Sequence, residues 1–114
     1  MNLYYHKNLD IQKWFSKSVS YQMANIGSEV SRMINWTEKD NQKHSELAFE
    51  RALELIDLTV LDNKNCSRLG EILRMREFLV GWYIDRADSI FDKNAWLKYF
   101  ESYNYYARLE SGSV

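Results

Sequence analysis

Apolar positions recur at alternating intervals of three and four residues in four stretches of the chain. An α-helix turns about 100° per residue, so this spacing predicts helices, at about residues 11–37, 42–60, 66–88 and 94–109. Short polar segments join them and favour antiparallel neighbours. Residues 1–10 lack clear periodicity and are expected to form an irregular arm lying on the bundle. The sequence therefore predicts an all-α, single-domain, up-down four-helix bundle.

The first predicted helix, which includes the stretch from Trp14 to Trp36, carries three stripes with this spacing. The core stripe is apolar and consists of Phe15, Val19, Met23, Ile26, Val30 and Met33. The second stripe contains only small residues, namely Ser20, Ala24, Gly27 and Ser31. Small residues let another backbone approach, and a glycine inside a helix costs about 1 kcal/mol relative to alanine. We therefore expect Gly27 to face a closely packed helix.

The third stripe of the first helix is polar, lies beside the core stripe and contains Gln22, Asn25, Glu29 and Arg32. Arg76 falls within the predicted core arc of the third helix, where a guanidinium requires a carboxylate partner, and we expect Glu29 first and Asp57 second. The alternative is that Arg76 extends along the edge of the core to water. The resulting candidate polar cluster is Gln22, Asn25, Glu29, Arg32 and Arg76. It is either a structural clamp or a pocket for a carboxylate or phosphate ligand.

Two further sets of apolar residues fall outside the predicted core. Leu47 and Leu58 project from the far side of the second helix, and Met75, Phe78 and Trp82 follow a second face of the third. Surplus apolar surface of this kind is typical of a subunit contact. We therefore predict self-association as a homodimer, and our first functional hypothesis is a non-catalytic protein-interaction module.

Charge and composition narrow the possible partners. The 15 Lys and Arg residues and 16 Asp and Glu residues are interspersed and give a net charge of -1, so neither nucleic acid nor an anionic membrane is an expected partner. No run approaches the roughly 18 apolar residues of a membrane span. The single cysteine, Cys66, cannot form an internal disulfide. Together with the polar N-terminus, it favours a cytoplasmic location.

Metal and cofactor chemistry finds little support in the residue pattern. His6 and His44 lie far apart and Cys66 stands alone, so no metal site and no cofactor are predicted. The spacing of four acidic residues on the second helix stacks carboxylates on one face, which is typical of a solvated helix face and less so of a Mg²⁺ site. These residues are Glu46, Glu50, Glu54 and Asp57.

Two resemblances bear on function. The segment from Glu54 to Asp57 is similar to the E-x-x-D motif of all-α nucleotide pyrophosphohydrolases of the MazG type, whose other helix carries E-x-x-E. Here Arg32 stands three residues after Glu29, where E-x-x-E has its second glutamate, so the resemblance implies a degenerate metal site. We keep such a hydrolase as the enzyme alternative. The stretches at 14–36, FERALELIDLT and LRMREFLVGWY resemble signature segments of a family of short helical proteins. That resemblance implies a compact helical fold and no activity.

Overall fold

Helices account for nearly all of the chain that the structure, a computed structural model, describes, namely residues 3–84 and 93–111. The helices are α1 (Ile11–Ser16), α2 (Val19–Glu38), α3 (Gln42–Leu61), a 3-10 helix (Asn63–Arg68), α4 (Leu69–Ile84) and α5 (Lys93–Glu110). No strand occurs in these two ranges. The predicted all-α bundle is confirmed. None of the helices within these ranges combines the length and apolar content that crossing a membrane requires.

α2 is the central helix, because it packs against α3 on one side and against α5 on another. Its buried apolar residues continue the predicted core stripe through Met23, Ile26, Val30 and Met33. α3 turns Ala52, Leu55 and Ile56 towards them, and α4 packs on α3. The turn between α2 and α3 is short. Asp40 adopts a left-handed conformation there (φ 57°), which aspartate tolerates better than most residues.

The small-residue stripe of α2 meets α5, as its composition predicted. An added Cβ atom at Gly27 would lie 2.7 Å from Cγ of Phe100, a separation that real Cβ contacts essentially never show. Phe100 is the buried side chain of α5. The ring therefore occupies the space that the missing Cβ leaves free, and this close packing offsets the conformational cost of a glycine inside the helix.

The prediction of one continuous helix over 11–37 is wrong, because the chain breaks between α1 and α2. Lys17 and Ser18 have extended backbone conformations, with ψ angles of 153° and 161°. The Ser18 hydroxyl accepts a hydrogen bond from the Tyr21 N–H at 3.1 Å and so caps a new helix. The break reorients α1, so that Trp14 is buried and Phe15 is only half buried.

The third predicted helix, 66–88, also begins later than expected, because its first residues belong to the 3-10 helix. Asp62 caps that 3-10 helix, and the Asn65 side chain turns inward and is buried. Residues 85–88 lie outside the described residues. The predicted helices at 42–60 and 94–109 agree with α3 and α5 to within one residue at each end.

The predicted irregular arm is present, and it lies on α3. Residues 3–10 contain bends and turns but no helix. Leu3 and Leu9 pack against the core, while Tyr4, Tyr5 and His6 make hydrogen bonds to α3 carboxylates. The arm therefore covers a face of α3 that the sequence pattern alone left bare.

Gly27→Ala should lower the free energy of unfolding by about 1–3 kcal/mol, because its Cβ overlaps the Phe100 ring. Gly81→Ala is the matched control: no atom of residues 3–84 or 93–111 lies within 4 Å of its added Cβ, so it should stabilise the protein by up to about 1 kcal/mol. Urea unfolding measures both. In a Phe100→Ala background the cost of Gly27→Ala should fall but not disappear, because the ring atoms are gone while the Cβ atom of residue 100, 2.9 Å from the added Cβ, remains. An unchanged cost there would contradict the assigned contact.

Candidate functional site

One carboxylate, that of Glu54 on α3, holds the N-terminal arm. Its Oε2 accepts hydrogen bonds from the backbone N–H groups of Tyr4 at 2.7 Å and Tyr5 at 2.9 Å. Its Oε1 accepts the backbone N–H of His6 at 2.7 Å and lies 2.8 Å from His6 Nδ1. Three successive amides thus wrap one anion, an arrangement known as a nest. This contact fixes the position of the His6 ring.

Two ionisations are shifted where the arm meets α3. Burial opposes ionisation of Glu54, but the hydrogen bonds from Tyr5 and His6 outweigh it and hold the pKa of the Glu54 carboxyl below its usual value. The Tyr5 hydroxyl donates to Glu50, and this bond to a carboxylate raises the pKa of Tyr5 to about 12. The acidic row of α3 therefore binds the arm at two of its four positions.

Glu29 of α2 lies next to this contact and is surrounded by cationic groups. Its Oε1 lies 3.1 Å from Arg51 Nε on α3 and 3.0 Å from Arg32 Nη1, one turn further along α2. Nε2 of His6 lies 3.9 Å from the same oxygen. The Glu29 side chain is only 5% exposed, whereas those of Arg51 and Arg32 are 38% and 60% exposed. The result is a buried carboxylate beneath two partly exposed guanidinium groups.

The Glu29 cluster, comprising Glu29, Arg32, Arg51, His6 and Glu54, leaves some polar capacity unused. Glu29 Oε2 is buried and accepts no hydrogen bond from any described residue. Each guanidinium uses a single nitrogen in the contacts made within residues 3–84 and 93–111. Both a hydrogen-bond acceptor and several donors therefore remain available in the same cluster.

Gln22, the first residue of the predicted polar cluster, belongs to a different network at the other end of α2. Its Nε2 donates to the Trp14 carbonyl at 3.0 Å and to Asp62 Oδ2 at 2.8 Å. Its Oε1 accepts from Asn65 Nδ2 at 2.9 Å, and the same nitrogen donates to the Thr59 carbonyl at 3.1 Å. All the groups are buried, so this network joins α1, α2, α3 and the 3-10 helix as a structural clamp.

Asn25 and Arg76 are also separate from Glu29. The Asn25 side chain donates to the Tyr21 carbonyl of its own helix at 2.9 Å. The expected Glu29–Arg76 pair is wrong, and the second choice is found instead: Arg76 Nε lies 2.9 Å from Asp57 Oδ1. Both groups are partly exposed, since Arg76 lies at the edge of the α3–α4 contact. Of the five predicted cluster residues, only Glu29 and Arg32 meet.

The predicted interface residues divide between core and surface. Leu58, Met75 and Trp82 are buried in the core, so the expectation that they form an outer face is wrong. Leu58 lies within the core cluster, and α4 turns Met75 and Trp82 inwards because it packs on α3 through that face. Leu47 and Phe78 are exposed, as predicted.

Comparisons with protein-family models, with curated proteins and with solved structures found no match. The chemistry of the site therefore rests on its own geometry. Within residues 3–84 and 93–111, no group of three or more His, Cys, Asp and Glu side chains has an arrangement that could hold a metal ion. Asp57 is paired with Arg76, Glu29 with two arginines, and Glu54 with the arm, so the three carboxylates of the E-x-x-D and E-x-x-R segments already have partners within the protein.

His6, Arg51 and Glu54 were not among the predicted site residues. Arg51 and Glu54 could have been identified from their position on α3 between Leu47 and Leu58. This surface mixes charged and apolar residues, which indicates that another segment of the chain packs on it. His6 had no comparable signal, because an irregular arm has no periodicity from which its contacts follow.

Glu54→Gln should release the arm, because a neutral amide accepts more weakly than a carboxylate and its NH₂ group faces the arm's own N–H donors. We expect a loss of about 1–3 kcal/mol in the free energy of unfolding. Hydrogen exchange of the Tyr4, Tyr5 and His6 amides should quicken. Glu77→Gln, at an exposed position on α4, is the control. Unchanged exchange at the three amides would contradict the assigned role.

Acid should weaken the same contact. The pKa of Glu54 is lower in the folded protein than in the unfolded chain, so its contribution is fully present above the ordinary glutamate pKa and is lost as the pH falls through the folded value. Urea unfolding between pH 7 and about pH 3 should therefore show a smaller loss of stability for Glu54→Gln than for the unaltered protein. Equal losses would show that another group carries the pH dependence.

Proposed function

We propose that the protein is a non-catalytic interaction module that self-associates through the outer face of α4. Four apolar residues of α4 form this outer stripe: Leu69, Leu73, Val80 and Ile84. Their spacing of four, seven and four residues keeps them on one side of the helix. Three are exposed, Ile84 to 77%, and Val80 is half buried. An exposed apolar stripe along a helix is typical of a contact surface.

The symmetry of the stripe is the observation that supports a homodimer. Its four residues are arranged evenly about the midpoint between Arg76 and Glu77. An antiparallel second copy related by a two-fold axis at that midpoint would set Leu69 against Ile84 and Leu73 against Val80. The two Arg76 side chains would approach near the axis, and each is already neutralised by Asp57 of its own chain. The surface is therefore complementary to itself.

The outer stripe lies on a different side of α4 from the predicted contact face of Met75, Phe78 and Trp82. Phe78 is 66% exposed but lies about 150° around α4 from the centre of the outer stripe. It cannot join the stripe in a single helix-to-helix contact. Location in the cytoplasm is part of the same proposal, and its support is the exposed free thiol of Cys66, which a reducing compartment keeps unpaired.

Leu73→Glu should abolish self-association, because it places a charge at the centre of the apolar contact on both copies. Sedimentation equilibrium between about 10 µM and 1 mM covers the affinity range expected for a contact of this size. Phe78→Ser is the matched control and should leave the association unchanged. A strictly monomeric protein throughout this range, or dissociation by Phe78→Ser alone, would refute the proposed surface.

A further inference from the structure

The buried oxygen of Glu29 carries an inference that is independent of self-association. Oε1 receives both guanidinium contacts, while Oε2 is closed to solvent and has no partner among the described residues. Buried polar atoms are nearly always hydrogen-bonded, and a carboxylate oxygen can accept only from a donor. The partner that Oε2 can accept is therefore an N–H or O–H group, most favourably a charged one.

The two arginines present the opposite requirement. Arg32 Nη1 and Arg51 Nε contact Glu29, and neither side chain forms a hydrogen bond or ion pair with any other described residue. Both guanidinium groups are partly exposed and are held in place by one carboxylate. Planar guanidinium edges of this kind recognise oxyanions through paired hydrogen bonds. The outer side of the cluster therefore suits a carboxylate group.

The two requirements arise at one side chain, because both arginines contact Oε1 and the unpartnered oxygen is Oε2 of the same Glu29 carboxylate. The charges of Glu29 and Glu54 equal those of Arg32 and Arg51, so with a neutral His6 the cluster has no net charge. A simple anion would gain from the arginines and lose to the carboxylates. A small molecule with both charges adjacent would match each group of the cluster.

We propose that the Glu29 cluster binds a free α-amino acid. The ammonium group donates to Glu29 Oε2, and the carboxylate accepts from the outer N–H groups of Arg32 and Arg51. No covalent step is involved.

Access to Glu29 Oε2 requires a neighbouring side chain to move. The arm is the candidate, since His6 Nε2 lies 3.9 Å from Oε1 of the same carboxylate and the arm contains no helix of its own. Segments held by a few side-chain contacts open locally at lower cost than helices packed in the core. The proposed binding therefore includes a movement of His6 that lets the ammonium group reach Oε2.

Three forms of one compound test the recognised groups. Alanine has both charges, N-acetylalanine lacks the ammonium and alaninamide lacks the carboxylate. Titration to about 20 mM, followed by NMR of the Arg Nε–H signals, covers the millimolar range expected for so small a ligand. Leucine and glutamate are titrated in parallel, because the proposed contacts involve only the ammonium and carboxylate groups and do not specify the side chain of the amino acid. We expect saturable shifts with at least one of the three amino acids. The N-acetyl and amide forms of that amino acid should give none.

Two variants of the protein locate the site. Glu29→Gln removes the charge that receives the ammonium, and Arg51→Lys removes the planar donor edge while keeping the charge. Each should weaken binding about tenfold or more, as loss of a charge-assisted hydrogen bond implies. Arg74→Lys, at an exposed position on α4, is the control and should bind normally. Arg51→Lys keeps the test valid if Glu29→Gln fails to fold.

Three results would overturn the proposal. The first is the absence of saturable shifts with alanine, leucine and glutamate. The second is equal binding of the blocked forms, which would show that the two charges are not read together. The third is unchanged affinity in Arg51→Lys, which would place any binding elsewhere on the protein.

Discussion

α2 is covered on three sides, and the rest of the structure is arranged to satisfy that helix. α3 covers its core stripe, α5 approaches it at Gly27, and the arm reaches Glu29. Two polar side chains of this helix, Gln22 and Glu29, are buried away from water, so each needs partners within the protein. Gln22 and Glu29, buried seven residues apart, therefore determine where the chain segments around them lie.

The two buried residues meet this constraint in different ways. Gln22 is neutral and has its amide oxygen and amide nitrogen both bonded, to groups from three surrounding segments. Both polar atoms of the Gln22 amide are therefore used, which fits the interpretation as a clamp. Glu29 is a carboxylate whose Oε1 is contacted by two guanidinium groups, whereas its Oε2 has no partner among the described residues. The sequence places both residues on one stripe, but only their partners show that one is structural and the other incomplete.

Features that depend on one helix could be predicted from the sequence, and features that depend on distant segments could not. The spacing of Met23, Ile26, Val30 and Met33 gave the core face, and Gly27 gave the close approach, since both follow from helix geometry. The break at Ser18 was missed because its capping bond competes locally with a periodic pattern that continues through it. Only Glu29 and Arg32 of the Glu29 cluster were predicted, because Arg51, Glu54 and His6 reach it from other segments.

The energetics of Glu29 bear on whether its cluster exists for stability. Moving a carboxylate out of water costs several kcal/mol, and ion pairs regain this only when the remaining lone pairs are also satisfied. Oε2 is not satisfied by any described residue, and the guanidinium groups of Arg32 and Arg51 remain partly in water, where their attraction to Glu29 is screened. Apolar residues at positions 29 and 51 would serve the α2–α3 contact at least as well. Stability alone therefore gives no reason for this arrangement, whereas a ligand that completes the cluster does.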